Sequence, residues 1–266
     1  MREIHLEELK NIQIQILDKV HEYCMERGIT YFLSSGTLIG AVRHKGYIPW
    51  DDDIDIYMPR QDFECFIRQF NDDDKTYRCI SLAVDANCTM AYAKVERTDT
   101  RLVESVDNPR EQGINIDIFP IDGVPDDEEA RAKYFSKVQQ IRNKMIMKDV
   151  KVNFHCRGII KNLILLGGKA LLFNKSLHQL AVDLDNAIDK RADFTLYVCN
   201  MVLGNGLHTE FRRDVISGMV DIEFEGKYYK TMKGYDEYLT KTYGDYMQLP
   251  PEEKRVSHHA FKAYWK

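Results

Sequence analysis

Four carboxylates fall within five residues in the run Pro49-Trp50-Asp51-Asp52-Asp53-Ile54-Asp55-Ile56-Tyr57. Successive side chains of an extended strand point to opposite faces. Asp51, Asp53 and Asp55 then share one face, while Asp52, Ile54 and Ile56 share the other, where the isoleucines can enter a core. Carboxylates held ~4 Å apart repel by roughly 4 kcal/mol per pair at an effective dielectric near 20. A raised pKa, solvent or a divalent cation must relieve that repulsion. A solvated acidic turn has the same composition. The interleaved apolar residues, and the lack of Lys or Arg from Pro49 to Pro59, favour a metal strand. Oxygen-only donors suit Mg²⁺ or Mn²⁺, which sit on one or two carboxylates plus substrate phosphates.

The rest of the chain gives this strand an ordinary globular setting. Its 266 residues are 44% hydrophobic and 30% charged, enough for one large domain or two small ones. A net charge of -5 and a pI near 5.9 give no reason to expect a nucleic-acid partner. The six cysteines are scattered without a C-x-x-C pair, which fits a reducing compartment better than structural zinc or a disulfide framework. The charged, amphipathic N-terminus is unlike a signal peptide, and no uncharged apolar stretch approaches 18 residues. A cytoplasmic location is expected.

Residues 3 to about 27 read as an amphipathic helix, with Leu9, Ile12, Ile16, Leu17, Val20 and Cys24 at helical spacing and Gly28 as its stop. Ile29 to Leu33 reads as a strand. Ser34 to Thr37 reads as a turn and Thr37 to His44 as a short helix, capped by Thr37 or Ser35. A loop leads to the acidic strand, and Gln61 to Phe70 is a helix. Strands follow at 77–82, 90–96 and 113–119, then a loop over Phe119 to Pro125 and a helix over Asp126 to Lys148. A boundary near 125 to 150 divides a catalytic core (1–125) from a helical addition (126–266) whose C-terminal tail packs back on the core; a single domain also fits. Within 114–119, alternation puts Asn115 and Asp117 on one face and Ile114, Ile116 and Ile118 on the other. A third inward acid on a neighbouring strand would complete a three-carboxylate site.

The turn Ser34-Ser35-Gly36-Thr37 opens a helix, where outward N–H groups can hold a phosphate. Arg43, His44 and Lys45 close that helix. Cations there answer the helix dipole, and the fork of Arg43 also suits phosphoryl oxygens. Acids, a divalent ion, a phosphate-binding turn and basic residues make up the equipment of phosphoryl transfer. A calcium loop is excluded: the sixth position from Asp51 is Ile56 rather than Gly, and the twelfth is Asp62 rather than Glu. A DxD metal site in a nucleotide-sugar glycosyltransferase stays open, but it leaves the Ser/Gly turn unexplained.

The stretch Gly36-Thr37-Leu38-Ile39-Gly40-Ala41-Val42-Arg43-His44-Lys45-Gly46-Tyr47-Ile48-Pro49-Trp50-Asp51-Asp52-Asp53-Ile54-Asp55-Ile56 resembles the signature of the LicD family of phosphotransferases. That family includes bacterial phosphocholine transferases and is related to fukutin-related protein. Ile116 to Pro125 resembles its second block. Tyr243 to Met247, Pro250 to Arg255 and His258-His259 resemble its third, so the likeness covers nearly the whole chain. It implies an α/β (α+β) fold with a polymerase-β-like nucleotidyltransferase core: a mixed sheet flanked by helices, with a helical C-terminal addition. Asp53 and Asp55 match the paired acids of that superfamily, and Asp117 matches the third. The spacing from Gly36 to Asp53 is longer than usual, and the Arg43–Trp50 loop supplies the excess. The implied reaction moves a phospho-alcohol, most simply phosphocholine, from a CDP-activated donor to a hydroxyl of a glycan or its lipid-linked precursor, as in lipopolysaccharide or teichoic acid modification. CMP is released.

On this reading Asp53 and Asp55 bind Mg²⁺, Asp117 completes the metal site or acts as base, and Asp51 supports them. Ser35, Gly36, Thr37, Arg43, His44 and Lys45 face the substrate. Lys94 and Arg97 reach phosphates or lie on the surface. His258 and His259 line the site or are structural. Trp50 and Tyr47 either pack or form part of a box for a choline cation. The apolar segment 158–173 either packs as a core helix pair or docks on a membrane surface at the inner face of a bilayer. The alternatives for function are a nucleotide-sugar glycosyltransferase or nucleotidyltransferase using the same acids, and a binding module without turnover.

Overall fold

The computed structural model describes residues 1–72, 75–104, 112–152, 158–190, 195–203, 209–256 and 261–266. The chain folds as a mixed α/β structure with seven α-helices among the described residues. Helix α1 (Leu6–Arg27) buries Leu9, Ile12, Ile16, Leu17, Val20 and Cys24, and ends at Gly28 with φ 66°. The helical spacing of those six residues forecasts this face, and a left-handed stop of this kind favours Gly. Ahead of α1 a two-residue strand β1 (Glu3–Ile4) replaces the expected first helical residues.

The main sheet runs in the order β2 (Phe32–Leu33), β3 (Asp55–Pro59), β7 (Asn115–Val124), β5 (Ala93–Arg97), β4 (Tyr77–Ile80), with β8 (Tyr197–Cys199) and β9 (Phe211–Arg212) continuing from the far end of β7. Only β3 and β7 pair in parallel among these neighbours. Ile54, Ile56, Ile116 and Ile118 are buried on one face, as their period-two alternation requires. The short helix α2 (Ser35–His44) joins β2 to the acidic loop, and α3 (Arg60–Gln69) follows β3.

Two sequence expectations change here. Phe119 to Pro125 is not a loop: β7 continues through Pro120 to Val124. The Asp117 N–H donates to the Ile54 carbonyl of β3, so the nitrogen of residue 120 faces the other side, where the pairing with β5 has ended at Ile118. Proline's missing donor costs nothing there. The part from 126 on, expected as a helical addition, also contains a hairpin, β10 (Met219–Phe224) and β11 (Lys227–Met232). Its turn residues Glu225 and Gly226 both have positive φ, 51° and 73°, as a primed hairpin turn needs. Glu225 grips the Arg43–Trp50 loop. Its N–H donates to the Lys45 carbonyl at 2.8 Å, and its Oε1 accepts from the Tyr47 N–H at 3.0 Å.

Beyond β7 come α4 (Glu128–Asp149), α5 (Ile159–Leu171) and α6 (Leu177–Ala187). Asp127 caps α4 and Ser176 caps α6 in a capping box with Gln179. Helix α7 (Tyr235–Tyr243) and strand β12 (Phe261–Trp265) bring the C-terminal end back, with β12 pairing β1 and β6 (Thr100–Glu104). The expectation of a core helix pair over 158–173 fails. Asn162 is the buried residue of α5, while Ile159, Ile160, Leu163, Ile164, Leu166, Leu171 and Phe173 are 43–83% exposed.

Candidate active site

The parallel register sets Asp55 of β3 opposite Asp117 of β7, and Tyr57 opposite Phe119. On the other side of β7, Lys94 of β5 lies opposite Asp117. One sheet face therefore begins with an acidic row and continues, two residues on, with an aromatic row. Lys94 Nζ donates to Asp117 Oδ1 at 2.5 Å and to Asn115 Oδ1 at 3.0 Å. It is largely buried, which decides against the surface placement left open for it. Burial first, then the charges of Asp53, Asp117 and Asp51, hold the Asp55 carboxyl well above its ordinary pKa, against the opposing pull of Lys94.

Backbone contacts fix this row. The Asp55 N–H donates to Thr37 Oγ1 at 2.8 Å, and the Asp55 carbonyl accepts from the Ser34 N–H at 3.1 Å. From α1, the buried Gln13 amide donates to the Asp52 carbonyl at 3.0 Å and the Asn115 carbonyl at 3.3 Å, tying the starts of both acidic strands together. Tyr47 donates its hydroxyl to Gln13 Oε1 at 3.0 Å and packs against Phe224. Tyr47 is thus a buried support for the row and not part of a cation box.

Helix α2 points its first turn at the acids. The helix begins at Ser35, two residues before the expected Thr37, and neither Thr37 nor Ser35 is its cap. Ser34 sits at the cap position without a cap hydrogen bond, and its buried hydroxyl has no partner. Ser35 has φ 51°. Gly36 lies close to Asp51: a Cβ there would stand 2.6 Å from Asp51 Oδ2. The unpaired N–H groups of a first turn therefore adjoin the carboxylates.

The other predicted residues divide. Arg43 spends its guanidinium on the Tyr246 and Gln248 carbonyls, at 2.7 and 3.2 Å, and on His44 Nε2 at 2.9 Å, so it anchors the C-terminal segment. Lys45 is exposed and ends α2 with φ 60°. Trp50 is half-buried, edge-on to His44 at 6.4 Å, with the Arg255 guanidinium 5.7 Å from its ring. That contact is an Arg–Trp pair rather than an open cage. Arg97 pairs with Asp99 at 2.9 Å and bonds Gln15, away from the acids. His258 and His259 lie outside the described residues. Nothing in the spacing singles out Gln13, Asn200, Phe211, Tyr238 or Tyr243, which the fold brings to the site. Tyr57 and Phe119 were legible as the residues two beyond each paired acid. Among the described residues, no three His, Cys, Asp or Glu side chains stand as a ready-made metal cage. Oxygen donors gathered this way are of the type a hard cation takes.

Comparison with known proteins follows the same residues. The family described as LicD/FKTN/FKRP, nucleotidyltransferase domain, matches residues 28–157, the span holding α2, the acidic run and Asp117. Over 266 residues, 99% of this chain and 99% of the relative, 32% of positions are identical to the lipopolysaccharide cholinephosphotransferase LicD of Haemophilus influenzae. The chain belongs to the LicD family. Two uncharacterized Rickettsia proteins share shorter stretches with it. The Rickettsia typhi protein is 44% identical over 59 residues, covering 21% of this chain and 19% of its own length. The Rickettsia prowazekii protein is 48% identical over 48 residues, 18% of each. As a LicD-family member the chain is a phosphotransferase. No helix among the described residues is long and apolar enough to cross a membrane.

Proposed function

We propose that this LicD-family enzyme transfers phosphocholine from CDP-choline to a hydroxyl of a lipopolysaccharide glycan or its lipid-linked precursor, with Mg²⁺, releasing CMP. The observation that carries it is the Asp55–Asp117 register beside the α2 first turn; the name of the H. influenzae relative supports the choice of group and acceptor. A parallel strand pair bearing the acids after a Ser/Gly helix start supports a polymerase-β-like core. Asp53 and Asp55 would hold the metal, with Asp51 supporting. When bound, the ion would offset the negative charge of the transferring phosphoryl group. The first-turn N–H groups of Ser35 and Gly36 bind phosphoryl oxygen. The acceptor oxygen attacks the phosphorus that carries choline, and the bond from that phosphorus to the CMP oxygen breaks. Asp117 takes the hydroxyl proton, and Lys94 holds Asp117 in place and balances the charge between them.

A donor panel tests this. Full-length protein is incubated with CDP-choline, CDP-ribitol, CDP-glycerol or UDP-sugars, with and without EDTA, with and without lipopolysaccharide, and read by mass spectrometry. Metal-dependent CMP release from CDP-choline, lost in Asp53→Ala/Asp55→Ala, is expected. Turnover of a UDP-sugar alone, or of no donor even with acceptor, would overturn the reading.

We also propose that α5 rests on an anionic membrane surface, where a lipid-linked acceptor would be presented. The exposed apolar face supports this. So does charge: α5 itself carries Lys161 and Lys169 and no acid. Co-flotation with phosphatidylglycerol vesicles, abolished by Ile164→Glu, is expected. Concentration-dependent dimerisation without flotation would instead make this face a contact between copies.

A further inference from the structure

Beyond the acidic row, a cavity of about 240 Å³ opens along the same sheet face. Asp55, Tyr57, Asn200, Phe211, Tyr238 and Tyr243 line it. Its aromatic groups come from β3, β9 and α7, three elements far apart in the chain. Tyr57, Phe211 and Tyr238 are buried. The Phe211 and Tyr238 rings meet edge-on at 5.2 Å, and Tyr57 and Tyr238 at 5.9 Å. Tyr238 donates its hydroxyl to the Tyr57 hydroxyl at 3.4 Å, so these two phenols are turned on each other. Tyr243 is 44% exposed and stands at the mouth. Asn200, only 5% exposed, keeps a buried Nδ2 beside the Tyr57 hydroxyl that meets no hydrogen-bond geometry. No Lys, Arg or His is among the described residues of the lining.

A pocket lined by aromatic rings and one carboxylate, with no cation among its described residues, is matched to a compact, poorly hydrated cation. A polyol would need donors and acceptors around its whole length. Here Tyr57 and Tyr238 spend their hydroxyls on each other, and the remaining polar groups, Ser35, Thr209 and Thr242 among them, share the wall with Phe211 and the tyrosine rings. The position settles which part of a substrate it could take. Asp55 belongs to both the acidic row and the cavity wall, so a group in the cavity is the immediate neighbour of a phosphoryl group held at the row. The buried Asn200 Nδ2, beside the Tyr57 hydroxyl, is a donor suited to an oxygen linking the two.

We infer that this cavity is the quaternary-ammonium pocket of the enzyme, in which the trimethylammonium end of the donor's alcohol lies among Tyr57, Phe211, Tyr238 and Tyr243 while Asn200 holds the adjoining ester oxygen. It makes the aromatic basin, and not Trp50, the residue set that selects the alcohol. The inference rests on the phosphocholine reading above.

Two measurements separate the pocket from that reading. Saturation-transfer NMR with choline chloride and tetramethylammonium, against ribitol and glycerol, needs no turnover. Both ammonium probes should receive saturation from the wild type. Leu203 also lines the cavity; Leu203→Trp, which fills it, should abolish this, and Tyr243→Leu should weaken it, each with an unchanged melting temperature. Kinetics supply the second measurement. Tyr243→Leu should raise KM for CDP-choline at least tenfold with kcat changed far less, and tetramethylammonium should compete with CDP-choline. Turnover of CDP-choline with no ammonium signal, or a signal that survives Leu203→Trp, would overturn the pocket and leave the proposed reaction standing. Saturation of ribitol or glycerol in place of the ammonium probes would overturn the cation assignment. Ammonium binding lost in Leu203→Trp without turnover of any CDP-alcohol would keep the pocket and remove the reaction.

Discussion

Strand β7 carries two aspartates five residues apart, and their surroundings are opposite. Asp122 is fully buried and held in a fork by the buried Arg60, Nε to Oδ1 at 2.6 Å and Nη2 to Oδ2 at 2.9 Å. Arg60 also reaches Asp185 of α6 at 3.3 Å, and Lys190 bonds Asp185 and Glu64 at 2.7 and 2.9 Å. Each charge there has a counter-charge, and the cluster fastens α6 to the sheet. Asp117 sits instead beside a run of acids, Asp51, Asp53 and Asp55, whose like charges raise the pKa of Asp55 even with Lys94 bonded to Asp117. The lesson is in the imbalance. A charge cluster that serves structure closes on itself, because an unpaired buried charge is costly. One that is left with excess like charge keeps room for a ligand of the opposite sign.

The widest break of this comparison is Arg60→Met. It leaves Asp122 buried without its partner and should cost roughly 3–5 kcal/mol in urea unfolding, while turnover per folded molecule is retained. Arg60→Met/Asp122→Leu should recover most of the loss. Asp55→Asn should do the reverse, lowering turnover by at least roughly 10²–10³-fold, about 3–4 kcal/mol, with the melting temperature kept or raised. An equal loss of stability in both variants would erase the distinction.

The acids also make a pH prediction. The folded pKa of Asp55 lies above its unfolded value near 3.8. Below the unfolded value both states are protonated, and the group contributes nothing. Between the unfolded and the folded value only the folded state keeps the proton, so metal-free stability falls there by up to about 1.4 kcal/mol per pH unit and levels off above the folded value. Thermal melts of wild type in EDTA should show this fall. Asp55→Asn should flatten it, and Mg²⁺ at neutral pH should offset it. The smallest expected effect is at Gly36. Gly36→Ala places a methyl against Asp51 Oδ2, and the carboxylate can move only at the expense of the row. A loss of about 1 kcal/mol with a several-fold rise in donor KM, seen in steady-state kinetics, would place Asp51 at the donor end.

The buried isoleucine face, the partner acid Asp117, and α1 with its Gly28 stop were legible because each is a local pattern of period 2 or 3.6; the acidic strand was legible only in part, since β3 begins at Asp55 and Asp51 to Asp53 precede it. The start of α2 was displaced by two residues because Thr37 Oγ1 accepts from the Asp55 N–H instead of capping the helix, a contact between segments 18 residues apart. The β7 extension through Pro120 was illegible for a similar reason: whether proline is tolerated depends on which neighbouring strand has already ended. Lys94, Tyr47 and Arg43 were visible as residue types without a place, and the fold gave each a different one: pinned to Asp117, folded under the row, and turned toward the tail.

By itself the sequence determined which residues alternate, where acids accumulate and to which family the chain belongs, since these are properties of neighbours along the chain. Only the tertiary structure decided that Asp55 and Asp117 stand in register, that α5 exposes its apolar face, and that aromatic side chains from β3, β9 and α7 close around one cavity. Those depend on which surfaces are left after the sheet is assembled, and no spacing along a chain encodes what a distant segment will cover.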